Sequence, residues 1–239
     1  MARLAGTVGF GAVRILVLGG TSFVGRAIAE DALRTGAEVT AFGRGKTGPD
    51  LFPGLPRLIG DRDTGDYAAL GAGSWDAVVD VRGYVPRHVG QAMDALGDRA
   101  GRYLFISRHA VYRLDGVGPG STEDTPRRPP VRDTEELSED SYGPLKVACE
   151  DDVVARYGPR ATIVRPGKVA GPNDWQPGLT YWVRCAARGG RVAGMPATAL
   201  EVTAADVLAW DRRRGEPPLT HGFTPEREQA ILARLGRGA

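Results

Sequence analysis

The stretch from Val13 to Gly25 constrains the fold most, because an apolar run passes directly into a glycine-rich turn. Most residues from Val13 to Leu18 are β-branched or aliphatic, which is typical of a buried parallel strand. After the turn, a helix is predicted whose apolar stripe consists of Val24, Ile28, Ala32 and Leu33. The opening of the chain therefore predicts a strand, a tight turn and a helix.

Glycines in such a turn let the backbone bend sharply and come close to a pyrophosphate. The free N–H groups and the dipole of the following helix then stabilise the phosphate charge. An ordinary strand–helix turn is the alternative, but the order of elements favours a dinucleotide site. Its candidate residues are Gly19, Gly20, Thr21, Ser22, Phe23, Val24 and Gly25.

Strand and helix patterns alternate along the next part of the chain. Further strands are predicted at 37–42, 56–59, 75–81, 102–107 and 161–165, and helices at 67–70, 88–96, 141–157, 181–188, 204–212 and from 224 onward. This alternation predicts an α/β fold, a Rossmann-like doubly wound parallel sheet with helices on both faces. We expect a flexible leader at 1–12, a dinucleotide-binding domain at 13–170, and a C-terminal part at 171–239 whose last helix packs on that domain.

Composition narrows the partners. The net charge of +2 gives no reason to expect nucleic acid or an anionic membrane, and no apolar run approaches the length of a transmembrane helix. Cys149 and Cys185 are far apart, which favours two free thiols over a disulfide, and we expect no metal site. The expected location is the cytoplasm, with a small molecule as the substrate.

The end of the second predicted strand bears on the choice of cofactor. In dinucleotide-binding folds an acid there binds the ribose 2′-hydroxyl of NAD, whereas an arginine accommodates the 2′-phosphate of NADP. This chain has Arg44 and Lys46 and no acid, so NADP is favoured and NAD is left open; a solvated basic turn is the alternative. Asp61 is a candidate acceptor for the adenine amino group, or else the start of an Asx turn. Val81 completes the candidate cofactor-binding residues.

Tyr142 and Lys146 are four residues apart in a predicted helix, so they share a face. An ammonium beside a phenol favours the phenolate and is expected to lower the pKa of Tyr142. A tyrosine with such a pKa is a workable general acid or base.

In these features the chain resembles the short-chain dehydrogenase/reductase superfamily, in its extended branch of NAD-dependent epimerases and dehydratases. The matching segments are GGTSFVG at 19–25, GRGKT at 43–47, Asp61, VVDVRGYVPRHV at 78–89, YLFIS at 103–107, YGPLKVACE at 142–150 and TIVRPG at 162–167. The resemblance implies a nicotinamide cofactor across the strand ends, with Tyr142 as acid/base. Lys146 would hold the nicotinamide ribose and tune Tyr142, and a homodimer is the default expectation.

The chain departs from the family pattern at three points. Ser22 stands where the family has a glycine, and Arg108 stands where it has the serine or threonine that would bond a substrate carbonyl. The third departure is length, since the substrate-binding part is reduced. Arg108 is expected to bind a substrate carboxylate or oxyanion, to fill the pocket and stop hydride chemistry, or to face solvent without a role.

The resulting functional hypothesis is an NAD(P)-dependent reductase or epimerase of a small oxygenated molecule, with Tyr142, Lys146 and Arg108 as its catalytic residues. One alternative is a non-redox dehydratase, isomerase or cyclase using Tyr142, Arg108 and His109 on the same fold. Another is a nucleotide-binding partner or sensor without turnover. The long polar segment at 113–140 is expected to be a loop that is either a lid or partly disordered, and a plain spacer is the alternative to a lid.

Overall fold

The computed structural model describes residues 11–113, 115, 117–118, 121–175, 178–187 and 200–216. Its centre is a six-stranded parallel sheet with the order β3-β2-β1-β4-β5-β6. The strands are β1 (Arg14–Leu18), β2 (Glu38–Gly43), β3 (Arg57–Ile59), β4 (Trp75–Asp80), β5 (Ala100–Ile106) and β6 (Ala161–Val164). This order reverses direction between β1 and β4, as in the dinucleotide-binding doubly wound fold.

The described α-helices are α1 (Phe23–Arg34), α2 (Pro86–Leu96), α3 (Glu139–Tyr157), α4 (Gly178–Ala187) and α5 (Leu200–Arg213). Ser138 caps α3 and exchanges hydrogen bonds with Ser141 in a capping box. Pro86 lies in the first turn of α2, where its missing N–H has no intrahelical partner to lose.

Helices pack on both faces of the sheet. Alternate residues of β1 point to opposite sides, so the strand presents apolar side chains to each face. Leu16 and Leu18 pack on one face with residues of α2 and α3, including Met93 and Val153. Val17 packs on the other face in a separate cluster with residues of α1 and β2. The α/β, doubly wound architecture predicted from the sequence is confirmed.

The predicted strands agree with the observed ones to within two residues at each end. The predicted apolar stripe of α1 was wrong at one position, because Leu33 is 39% exposed. The face that α1 buries consists of Gly25, Ala29 and Ala32 instead. Small residues lie there because α1 packs tightly against the turn and the sheet.

The chain divides into two compact units, 1–167 and 168–239. In the second unit, Leu179 and Val183 of α4 pack with Val207 of α5, and the buried Asp211 pairs with Arg184 and Arg214. Most of the predicted leader and the helix predicted from residue 224 lie outside the described residues. Within the described ranges, no helix has both the length and the apolar character needed to span a bilayer.

Replacing Gly25 by alanine is expected to destabilise the first unit. A Cβ at this position would lie 2.1 Å from the carbonyl oxygen of Gly19, so α1 or the turn must shift. Overpacking of this kind costs about 1–3 kcal/mol. Urea unfolding of Gly25→Ala measures the loss, with Gly90→Ala in α2 as the matched control, since nothing lies within 4 Å of a Cβ there. Equal stability of the two variants would contradict this account of the turn.

Candidate active site

The glycine turn between β1 and α1 leaves no room for side chains. Gly19 has a φ of +94°, in the region that favours glycine, and its N–H donates to the carbonyl of Phe42 at 2.9 Å. A Cβ on Gly20 would lie 3.2 Å from Val17, and Gly25 is packed against the Gly19 carbonyl. The glycine backbone therefore packs closely at the N-terminus of α1, where backbone N–H groups can bind phosphate, and the Arg82 side chain lies against Gly19.

A cleft opens at the carboxyl ends of the central strands. Of the residues predicted from the sequence to bind a cofactor, those lining this cleft are Gly19, Thr21, Ser22, Arg44 and Asp61. Gly20 and Gly25 lie buried behind the turn, and the Val81 side chain packs against it. Phe23 and Val24 form the half-buried first turn of α1.

The end of the cleft formed by the loops after β2 and β3 carries both signs of charge. Arg44 is about half exposed, with its guanidinium 3.7 Å from the carboxylate of Asp63. Asp61 accepts a hydrogen bond from the Asp63 N–H at 3.0 Å, so it forms the Asx turn that was the alternative to adenine binding. Asp63, in the loop after β3, therefore places an acid beside Arg44 at this end of the cleft. In the sequence an acid was sought only at the end of β2, so Asp63 was missed.

A buried carboxylate lies beneath the cleft, and the sequence analysis missed its role. Asp80 is fully buried and accepts hydrogen bonds from Arg62 at 2.9 Å, Tyr103 at 2.7 Å and the backbone N–H of Arg82 at 3.0 Å. Burial and the nearby carboxylate raise the pKa of Tyr103 well above its usual value. The only sequence signal for the role of Asp80 was its position at the end of a predicted strand.

Tyr142 meets Arg108, as the predicted site requires. The guanidinium carbon of Arg108 lies 5.5 Å from the centre of the Tyr142 ring, and the Arg108 Nε is buried. Arg108 is therefore half-buried, with its guanidinium against the tyrosine ring. Gly143 makes this meeting possible, since a Cβ there would lie 2.2 Å from the Ala110 carbonyl oxygen.

The expected lowering of the Tyr142 pKa was wrong. Burial and the neighbouring Tyr84 raise this pKa above its ordinary value, and the charge and hydrogen bonding of Arg108 oppose the rise without cancelling it. Arg108, rather than Lys146, is the cation that acts on the phenol. The Tyr142 hydroxyl is consequently protonated at neutral pH.

Lys146 shares the helix face of Tyr142 but lies deep in the protein. It is 2% exposed, and its Nζ donates to the carbonyl of Ile106 at 2.9 Å. Burial lowers the pKa of Lys146 to about 8. The Nζ also lies 4.5 Å from the centre of the Phe105 ring and 5.3 Å from that of Tyr84.

The described part of the polar segment at 113–140 is held by arginines. Arg132 makes two hydrogen bonds to Asp152 on α3, at 2.7 and 2.9 Å, and Arg127 bridges Glu150 and Asp151. On α2, Arg87 binds both oxygens of Glu135 at 2.6 and 2.8 Å. These contacts fasten the segment to two helices of the first unit.

Among characterised proteins, the chain is 25% identical over 205 residues to the chloroplast stem-loop binding protein of 41 kDa b from Arabidopsis thaliana. That match covers 80% of this chain and 50% of the relative, so the chain spans about half of the relative's length. No protein-family model matches the chain.

Solved structures with the same fold include two sugar-nucleotide epimerases and a further enzyme with bound NAD+. A UDP-galactose 4-epimerase is 23% identical, with a TM-score of 0.57 over 74% of this chain and 63% of its own. A Bordetella bronchiseptica enzyme solved with NAD+ is 20% identical, with a TM-score of 0.59 over 76% and 64%. The Thermus thermophilus UDP-glucose 4-epimerase in complex with NAD is 21% identical, with a TM-score of 0.57 over 75% and 64%. The chain therefore shares the fold of these enzymes, as the resemblance in its sequence implied.

Replacing Lys146 by methionine is expected to change how stability depends on pH. The folded-state pKa of about 8 lies below the ordinary 10.5, so the unfolded chain binds the extra proton between these values. Burial of the charged lysine therefore destabilises the native protein below pH 8, and the cost fades toward pH 10.5.

Relative to the wild type, Lys146→Met should be more stable by roughly 1–3 kcal/mol at pH 7, and less so at pH 9.5. Urea unfolding at both pH values measures the difference, and the exposed Lys168→Met is the control. A difference independent of pH would show that Lys146 is charged at no cost.

Proposed function

We propose that the chain binds a nicotinamide dinucleotide in the cleft and acts as an NAD(P)-dependent reductase or epimerase of a small oxygenated molecule. The observation that carries the proposal is the glycine turn, where a Cβ on Gly25 would lie 2.1 Å from the Gly19 carbonyl oxygen at the start of α1. Solved structures of this fold with bound NAD support it. The chain spans less than two thirds of the length of those proteins.

The phosphate end of the cleft fits a dinucleotide. The backbone from Gly19 to Ser22 and the first turn of α1 would hold the pyrophosphate, since this turn lines the cleft and the start of the helix offers free N–H groups. Arg44 and Lys46 would bind the adenosine ribose or its 2′-phosphate. When bound, the nicotinamide supplies or accepts a hydride.

The chain's own contribution to the chemistry is proton transfer at Tyr142. Burial raises the pKa of its hydroxyl above the ordinary value for tyrosine, so the hydroxyl carries a proton that it could donate to a substrate oxygen. Arg108 lies against the same ring and would stabilise the phenolate that remains. A guanidinium in this position also suits a carboxylate or an oxyanion on the substrate.

Cofactor choice is tested by reversing the charge of Arg44. If Arg44 binds a 2′-phosphate, Arg44→Asp should weaken NADPH binding about ten-fold or more, as for loss of a charge-assisted hydrogen bond, and NADH binding far less. Calorimetric titration of both cofactors measures this, with Arg102→Asp on the exposed part of β5 as the control. Equal losses of affinity for NADPH and NADH would contradict binding of the 2′-phosphate by Arg44. If neither cofactor binds the wild type, the proposed nucleotide site itself is contradicted.

The partnership of Arg108 and Tyr142 is tested without a substrate. Arg108→Ser removes a cation that lowers the Tyr142 pKa, so the phenol should titrate at higher pH in this variant. The Tyr142 signal is isolated as the difference in tyrosinate absorbance between each protein and its Tyr142→Phe counterpart. As the control, Arg102→Ser should leave the Tyr142 titration unchanged. An unchanged titration in Arg108→Ser would show that Arg108 does not act on the Tyr142 hydroxyl.

A second candidate function follows from the Arabidopsis relative, whose name describes a stem-loop binding protein. Arg44, Lys46 and Arg82 line one cleft and would attract the phosphates of RNA as well as those of a dinucleotide. Binding of NADH and of a stem-loop RNA, measured separately, distinguishes the two functions. If both bind, mutual displacement would show that they share this site.

A further inference from the structure

Lys146 has no open path to the cleft. Its ammonium is enclosed by the Ile106 carbonyl oxygen at 2.9 Å and by two aromatic rings, with the Phe105 centroid at 4.5 Å and the Tyr84 centroid at 5.3 Å. Only 2% of the residue is exposed. A lysine enclosed in this way cannot reach a nicotinamide ribose unless one of the rings moves.

Tyr84 is the ring that separates Lys146 from the cleft. It lines the cleft, while Tyr142 and Lys146 are absent from the described lining. On its inner side, the Tyr84 ring lies over Lys146 and 6.3 Å from the Tyr142 ring centre. The Tyr84 ring therefore lines the cleft and also lies close to the two residues proposed for chemistry.

Arg82 fastens Tyr84 in this position. Its guanidinium carbon lies 5.1 Å from the Tyr84 ring centre, and its Nη1 lies 3.4 Å from the Tyr84 hydroxyl. The stem of Arg82 crosses the turn so closely that a Cβ on Gly19 would lie 2.2 Å from its Cγ. The main chain at Arg82 is itself fixed by a hydrogen bond to the buried Asp80.

We propose that Tyr84 is a gate that admits the adenosine diphosphate part of a dinucleotide to the cleft and excludes the nicotinamide part until its ring swings away. The inference rests on the proposed nucleotide site and concerns what that site selects. The glycine turn at the phosphate end lines the cleft, whereas Lys146 at the nicotinamide end is enclosed by the Tyr84 and Phe105 rings.

The gate has a measurable consequence for affinity. A ligand that needs the open state binds more weakly by the fraction of molecules that are open. ADP-ribose contains the adenosine diphosphate part and lacks the nicotinamide ring, and its terminal ribose need not contact Lys146, so it binds the closed state without this loss. The closed gate thus predicts that the wild type binds ADP-ribose at least as tightly as it binds NADH.

Calorimetric titration of NADH and ADP-ribose into the full chain tests the gate. Tyr84→Ala removes the ring and should raise NADH affinity about ten-fold, while ADP-ribose affinity changes less than three-fold. Tyr84→Phe keeps the ring and should behave as the wild type. Emission of bound NADH gives a second readout, since the reduced nicotinamide should resemble free NADH in the wild type and shift only in Tyr84→Ala.

The outcomes separate the gate from the nucleotide site. If the wild type binds NADH ten-fold or more tightly than ADP-ribose, or if Tyr84→Ala leaves the ratio unchanged, the gate is overturned and the dinucleotide site stands. If neither ligand binds the wild type, both are overturned. The wild-type ratio needs no variant, so the test survives a Tyr84→Ala protein that fails to fold.

Discussion

The buried carboxylate of Asp80 is the contact on which the site depends. It ends β4 and collects donors from three segments, namely Arg62 after β3, Tyr103 on β5 and the backbone of Arg82 after β4. Removing one partner of a buried ion pair leaves an uncompensated charge and costs about 3–5 kcal/mol. This single side chain therefore ties together the strand ends that form the floor of the cleft.

The position of the gate follows from that contact. Asp80 fixes the main chain at Arg82, whose stem then lies across the glycine turn and whose guanidinium lies on Tyr84. Tyr84 in turn covers Lys146. The buried ion pair of Asp80 and Arg62 is thereby connected, through Arg82 and Tyr84, to the choice of ligand that we propose for the cleft. The described part of the chain joins stability and selectivity at one strand end.

The elements were predictable from the sequence because apolar periodicity and glycine turns report directly on strands and helices. The glycine turn and the meeting of Tyr142 with Arg108 were predictable for the same reason, since strand ends converge at one sheet edge. The enclosure of Lys146 was not predictable. Spacing along a helix shows which residues share a face, but not which aromatic rings of other elements pack against that face. Leu33 was misplaced because the tight packing of Gly25 turns small residues of α1 inward.

Burial decides which way Tyr142 can work. A lysine free in the site would hold the phenol near its ionised form, but here that lysine is enclosed and its own pKa is lowered by burial to about 8. The phenol keeps its proton because desolvation outweighs Arg108. Opening Tyr84 would hydrate both groups, lowering the pKa of the phenol and raising that of the lysine. In this arrangement, admission of the nicotinamide part and activation of Tyr142 would be one event controlled by one aromatic ring.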